Sequence, residues 1–238
     1  MRLQRMLARA GVASRRQAEK LILDGVVKVN GTVATIGATV DPDVDAITVK
    51  GKRIRVQPTV WIVLNKPRGY AVSRTDYKGR RTVFDLVPDV PGLTYVGRLD
   101  IDTGGLVILT TDGVAAHKLT HPKFGVDRMY RVLASGVTAG EVSAALSKKI
   151  VVDGKPVRIV RSNVKTGKEG VLDINLVLRE GRHHIVRNLC KSLGLKIERL
   201  IRLQHGPVSL GRLAPGKWRY LTDQEIEAIA SLMTRTGV

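Results

Sequence analysis

The sequence predicts an α+β protein: a small unit of two helices and a short sheet, then a larger, mostly antiparallel sheet domain with flanking helices. Three observations predict this. Strand-like segments come in runs rather than in strict alternation with helices, which disfavours a doubly wound parallel sheet. Two helix starts and a two-residue hairpin signal crowd into the first 56 residues. Residues 171–178 alternate, with Leu172, Ile174, Leu176 and Leu178 on one face, the period of a half-buried strand.

Taken in order, residues 2–9 read as a short basic helix with Leu3, Met6 and Leu7 on one side. Ser14 with Gln17 three residues on is a capping box, opening a helix through Ala18, Leu21 and Ile22 that Asp24-Gly25 ends. Val26–Val29 reads as a strand, and Asn30-Gly31 as a hairpin turn because both residues tolerate positive φ. Strands at Ile47–Val49 and Arg53–Val56 flank a Gly51-Lys52 turn. The first domain is placed at 1–56, a linker at 57–59 (Gln57-Pro58-Thr59), and the second domain at 60–238.

In the second domain Val60–Asn65 reads as a strand that stops at Lys66-Pro67-Arg68-Gly69. Leu106–Thr110 and Tyr130–Ala134 are further strands, and Asp112-Gly113 leads into a short helix through Leu119. Thr138 and Glu141 cap a helix reaching Leu146. His184–Leu193 is amphipathic, burying Ile185, Val186, Leu189, Cys190 and Leu193, and Gly194 closes it. Thr222 and Glu225 cap the last helix.

Composition narrows the partner. Forty Lys+Arg stand against 21 Asp+Glu, a formal net charge of +19 on 238 residues, which points to a polyanion and above all to a nucleic-acid backbone. The first 20 residues carry six Lys/Arg and one acid. No apolar run approaches the roughly 20 residues of a membrane span, and no signal peptide or lipidation signal is read, so no membrane is expected. One cysteine excludes an intrachain disulfide and fits a cytoplasmic location.

Few residues could carry chemistry. The segment Gly97-Arg98-Leu99-Asp100-Ile101-Asp102-Thr103-Gly104-Gly105-Leu106 sets two carboxylates, an arginine and three glycines before an apolar strand. By spacing alone it reads as an Asx-turn loop with Arg98 paired to one acid. Glu180-Gly181-Arg182-His183-His184-Ile185-Val186-Arg187 enters the amphipathic helix, where Arg187 by itself reads as a phosphate contact. A metal is not expected at His183-His184, because adjacent histidines point apart on a helix and no carboxylate or cysteine completes a ligand set. His117, His121 and His205 are scattered and suit surface or core roles. Tyr130, one of nine aromatics, suits a base-stacking platform or the core about equally. Cys190 reads as inert packing.

Two ordered sets of residues carry a resemblance. Arg2-Leu3-Gln4-Arg5-Met6-Leu7, Gly11-Val12-Ala13-Ser14-Arg15-Arg16, Ala18-Glu19, Leu21-Ile22, Gly25 and Val27-Lys28-Val29-Asn30-Gly31 resemble an S4 RNA-binding domain. Leu64-Asn65-Lys66-Pro67-Arg68-Gly69 is similar to the opening motif of the RsuA family of pseudouridine synthases, which includes the RluB, RluE and RluF types. Gly97-Arg98-Leu99-Asp100 with Thr103, Gly105-Leu106 and Thr111-Asp112-Gly113 resembles its catalytic motif. Met129-Tyr130-Arg131-Val132 and Glu180–Arg187 resemble the next two, and Gly206-Pro207-Val208 with Pro215-Gly216-Lys217-Trp218-Arg219 its closing segment. Ile185 stands where the family usually has Gln, and Asn188 where it has a basic residue.

The resemblance implies a ribosomal RNA pseudouridine synthase, of the large subunit more than the small, acting on free rRNA or assembling subunits. It implies Asp100 as catalytic aspartate, Arg187 as its cationic partner, and Tyr130 stacked on the uracil. Arg98 would fill the space of an extruded nucleotide, and Leu200 or Ile201 would line the pocket. Arg2, Arg5, Arg9, Arg15, Arg16 and Lys20 would contact RNA phosphates, with Lys28 and Asn30 near them. No metal or organic cofactor is expected, and a monomer is. The competing reading is a non-catalytic rRNA-binding or ribosome-assembly protein on the same fold. A DNA-binding regulator is disfavoured, because no helix-turn-helix with a recognition helix is found.

Overall fold

The structure is a computed structural model describing residues 1–56, 58–76 and 78–235. Gln57, the first residue of the expected linker, and residues 236–238 of the expected second domain lie outside the described residues. The chain divides into two compact units. One comprises Met1–Val60, Pro88–Thr94 and Thr110–Gly113; the other comprises Trp61–Val87, Tyr95–Leu109 and Val114–Val238.

In the first unit, α1 (Leu3–Arg9) buries Leu3, Met6 and Leu7. The capping box of α2 (Arg15–Leu23) is complete: Ser14 Oγ accepts from the Gln17 backbone, and the Gln17 side chain accepts from the Ser14 backbone. Ala18 and Ile22 of α2 close the same apolar cluster with Val27, Val40, Ile47 and Val49. The strands β1 (Val27–Val29), β2 (Thr32–Val33), β3 (Ile47–Val49) and β4 (Lys52–Ile54) form one sheet in the order β2-β1-β3-β4. Asn30 and Gly31 take φ +51° and +86° and set Val29 opposite Thr32, the turn expected from their residue types. The second turn differs from expectation. It is Lys50-Gly51, at φ +50° and +78°, with Val49 opposite Lys52. A two-residue turn of this hand suits glycine at its second centre, so the strand starts one residue early and ends at Ile54.

The second unit is built on a nine-stranded sheet. Its main path is β11 (Ile159–Thr166), β12 (Leu172–Leu178), β8 (Arg128–Ser135), β13 (Lys196–His205), β7 (Gly104–Thr110), β5 (Trp61–Lys66) and β15 (Trp218–Tyr220). Strands β6 (Thr94–Val96) and β14 (Val208–Ser209) pair with β7 and β13, and β9 (Val151–Val152) and β10 (Lys155–Pro156) form a separate hairpin. Among the pairings with an assigned register, only β13 with β7 is parallel. The mostly antiparallel expectation therefore holds. Helices α3 (Gly113–Thr120), α4 (Ala139–Leu146), α5 (Ile185–Ser192) and α6 (Asp223–Arg235) flank the sheet. The Thr138–Glu141 capping box opens α4, and Thr222 and Glu225 cap the start of α6 as expected. One core cluster joins Val63, Val96, Leu106, Ile108, Leu119 and Ile229.

The central strand β13 has no counterpart among the expected elements. Its apolar residues Ile197, Leu200, Ile201 and Leu203 follow a spacing closer to a helix than to a strand. Register shifts between Ile197 and Arg199 and between Arg202 and Gln204 explain this, because each bulge breaks the two-residue period. Gly105 makes the junction with β7 feasible: its φ is +104°, and a Cβ there would lie 2.3 Å from the Arg202 carbonyl oxygen.

Candidate active site

The loop before β7 positions the carboxylates. Thr103 N donates to the Asp100 carbonyl over 3.0 Å, folding residues 100–103 into a turn. That turn separates the two acids. Asp102 is exposed, while Asp100 is half-buried and points at the start of α5. There Arg187 Nε donates to Asp100 Oδ2 over 3.2 Å, and Arg187 Nη2 donates to Thr103 Oγ1 over 3.1 Å. The other carboxylate oxygen, Oδ1, lies 3.2 Å from His184 Nε2. Residues 87 and 84 positions apart thus meet on one carboxyl group and the loop that carries it. Arg98, which spacing alone would pair with one of these acids, is exposed, and the arginine on Asp100 is Arg187, the residue the resemblance sets beside it.

His183 and His184 depart from the helical expectation. The helix begins at Ile185, and His184 is its N-cap at φ +55°, ψ +18°. In that left-handed conformation the two rings do not diverge; they stack with centroids 3.6 Å apart. Asp100 joins them, so a carboxylate and two imidazoles lie with one ligand atom each within 4.8 Å of one another. The expectation of no ligand set requires both histidines to lie on a helix, and the backbone removes that premise.

Lys66 lies under the loop. It is fully buried, and its ammonium donates to the carbonyls of Tyr70 at 2.8 Å, Pro67 at 3.0 Å and Ile101 at 3.2 Å. Burial pulls its pKa down to about 8, opposed by the nearby Asp102 and Asp100. One cation therefore pins the Lys66–Tyr70 turn to the Asp100–Thr103 turn, and Gly69 N adds a 2.8 Å bond to the Ile101 carbonyl. In the sequence this lysine is only one residue of a motif; a lysine at a strand end does not reveal that its side chain turns back under a loop.

Tyr130 is buried on β8, opposite Arg202 of β13 and Leu176 of β12. Leu200 is buried on the same face, opposite Val132. Ile201, the next residue, faces the other way and packs on the apolar cluster of Leu106 and Ile108. Beside Tyr130 lies a basic seam that sequence reasoning missed: Arg128 falls just before the strand expected at Tyr130–Ala134, and Arg202 lies in the strand that was not expected. Arg128 donates to the carbonyls of Leu119, Thr120 and Val126, and Arg202 Nε to that of Leu106. His205, opposite Arg128, is fully buried with Nε2 2.9 Å from the Leu119 oxygen. Burial and the charges of Arg202 and Arg128 hold His205 well below the usual histidine range. Cys190 is buried and its thiol is pushed up to about 12, which fits inert packing.

Of the N-terminal candidates, Arg2, Arg5, Arg15, Arg16, Lys20 and Lys28 are exposed. Arg2 donates to the Gly37 carbonyl, and Arg9, half-buried, donates to Thr59 Oγ1 over 2.9 Å. Asn30 is exposed, yet its amide is occupied inside the unit. It donates to Asp45 Oδ1 and accepts from Ala46 N, each over 2.8 Å.

Residues 60–192 match the family model described as RNA pseudouridylate synthase. The chain belongs to this family. Residues 1–45 match the S4 domain model. An uncharacterized RNA pseudouridine synthase of Aquifex aeolicus (strain VF5) is 41% identical over 95% of this chain and 92% of its own length. The ribosomal large subunit pseudouridine synthase B of Bacillus subtilis (strain 168) is 38% identical over 97% of this chain and 96% of its own. A crystal structure of a pseudouridylate synthase superposes with a TM-score of 0.64 at 30% identity, covering 96% of this chain and 99% of that one. The chain is thus a pseudouridine synthase with an N-terminal S4 domain. Of its two departures from the expected family pattern, Ile185 is buried and Asn188 donates to Asp153 Oδ2 over 3.0 Å. Among the described residues, no helix is long and apolar enough to cross a membrane.

Proposed function

We propose that this pseudouridine synthase isomerises a specific uridine of ribosomal RNA, with Asp100 as the catalytic carboxylate. The observation that carries the reading is the placement of Asp100. It alone of the two loop acids is gripped by Arg187, from a helix far along the chain. The reaction breaks the N1–C1′ bond, turns the uracil, and forms a C5–C1′ bond; the C5 proton leaves and N1 gains one. A covalent adduct and a glycal route both need a carboxylate beside C1′. Arg187 fixes the orientation of that carboxylate, and Thr103 fixes Arg187. Tyr130 stacks on the uracil close to the departing proton, with Leu200 on its face of the sheet. Because C1′ is shielded in a stacked strand, the nucleotide is extruded, and exposed Arg98 occupies its place.

Relatives named ribosomal large subunit pseudouridine synthase B, from Bacillus subtilis and Pseudomonas aeruginosa, favour the large-subunit rRNA as substrate, free or in assembling subunits. The exposed arginines and lysines of the N-terminal unit supply phosphate contacts, which position the protein without specifying the site. The enzyme acts as a cytoplasmic monomer without a cofactor. The test is Asp100→Asn on rRNA carrying the target. Carbodiimide adducts read by primer extension should vanish, while RNA affinity stays within a few-fold. A wild-type protein that modifies no uridine in its own rRNA would sink the reading.

A further inference from the structure

We propose that Asp100, His183 and His184 form a binding site for a borderline divalent transition-metal ion of the zinc class, and that occupancy switches the enzyme off. Imidazole nitrogens with one carboxylate oxygen suit zinc, nickel or copper rather than magnesium or calcium. Zinc bonds of about 2.0–2.2 Å to N and O set the edges of a tetrahedron at roughly 3.3–3.5 Å. His184 Nε2 and Asp100 Oδ1 are already 3.2 Å apart. The third ligand, His183, is stacked on His184 and keeps a ring nitrogen within 4.8 Å of both other donors, a gap that side-chain rotation closes. Both imidazoles are exposed, so an ion enters without moving the backbone, and the fourth position is left to water.

The left-handed N-cap at His184 is what turns the two rings to the same side. The same surroundings limit the affinity. Arg187 sits on the other carboxylate oxygen, and the ammonium of Lys66 is close enough to feel Asp100. The start of α5 adds a partial positive charge. These cations oppose a divalent ion, so the site is reversible and regulatory rather than a resident metal centre.

The binding claim stands on the donor geometry; the inhibition claim rests on the catalytic role proposed for Asp100. Both are tested on the full chain with zinc chloride and with cobalt chloride, whose visible band reports nitrogen ligation. One ion per chain is expected by calorimetry. His183→Ala and His184→Asn should each weaken binding at least tenfold, asparagine being chosen because it accepts the left-handed backbone. The other histidine pair, His117 and His121 with ring centroids 5.1 Å apart, is the internal control. Its double alanine variant should bind zinc as the wild type does. Zinc should stop uridine isomerisation, and a chelator should restore it. In the His183→Ala protein, compared with its own zinc-free rate, inhibition should need at least ten times more zinc. Absence of binding, or binding that follows His117 and His121, overturns the site and leaves the proposed chemistry intact. Binding at the three residues with undiminished activity overturns both the switch and the role of Asp100.

Discussion

Arg187 and Arg128 show two uses of one side chain within the same unit. Arg187 is 30% exposed and divides its donors between a carboxylate and a threonine at a loop. Arg128 is 5% exposed and spends its donors on three backbone carbonyls around the start of β8. Burial holds the Arg128 guanidinium below its ordinary range, opposed by the pull of Tyr130. A buried cation bound to backbone oxygens is a tie between segments. A half-exposed cation on a carboxylate instead holds the orientation of a group that a substrate can reach. The two environments separate a tie between segments from the orienting role proposed for Arg187 more sharply than residue type does.

Breaking the contrast at its chemical end should give the largest effect. Arg187→Ala is expected to lower turnover by on the order of a hundredfold or more, as for removal of a group that orients the reacting one. RNA affinity should fall no more than a few-fold, and thermal unfolding should barely move. Equal losses of affinity and turnover would return Arg187 to a phosphate contact.

Arg128→Met should do the reverse. It leaves three buried carbonyls without their donor, at about 1–3 kcal/mol for each one that finds no substitute. Denaturant titration should show the loss, while the turnover of the folded fraction stays near that of the wild type. A normal midpoint with lost turnover would move the basic seam into the chemistry.

Lys66 sharpens the comparison, because it is a buried tie that touches the loop carrying Asp100. Its folded pKa, about 8, lies below its unfolded value near 10.5, so between these pH values the unfolded chain binds more protons. Stability from this group therefore rises as pH climbs through that window, and below it the buried charge costs stability. The wild type should gain roughly 2 kcal/mol on Lys66→Met between pH 8 and 10.5. Parallel pH profiles of unfolding for the two proteins would refute the assignment.

The smallest effects belong to the first unit. Replacing Arg15, Arg16 and Lys20 together by alanine should flatten the salt dependence of RNA binding by roughly 0.7–0.9 for each phosphate that is no longer neutralised. Asn30→Ala should leave that slope unchanged and cost about 1 kcal/mol in stability, because its amide bonds Asp45 and Ala46. A slope that follows Asn30 would make it an RNA contact after all.

Much of the molecule is legible in its residues. The capping boxes at Ser14, Thr138 and Thr222, the Asn30-Gly31 turn and the alternation of Leu172 to Leu178 act over a few positions, and the structure has all of them. The order of the motifs marks the family, and by resemblance it singles out Asp100, the carboxylate proposed to act, without any knowledge of what Asp100 touches. Local chemistry determines such features because a cap, a tight turn or a strand period is satisfied by near neighbours. The family resemblance already sets Arg187 beside Asp100, but the approach of His184 to the same carboxylate, the burial of Lys66, Arg128 and Arg202, and the strand β13 were decided only by the tertiary structure. Each depends on how segments pack in space, as where Lys66 reaches the Ile101 carbonyl and Arg202 that of Leu106, or on bulges that hide the strand period. The stacked His183-His184 pair lies between the two regimes. Its residues stand side by side in the chain, but a single left-handed backbone angle set the direction of both rings.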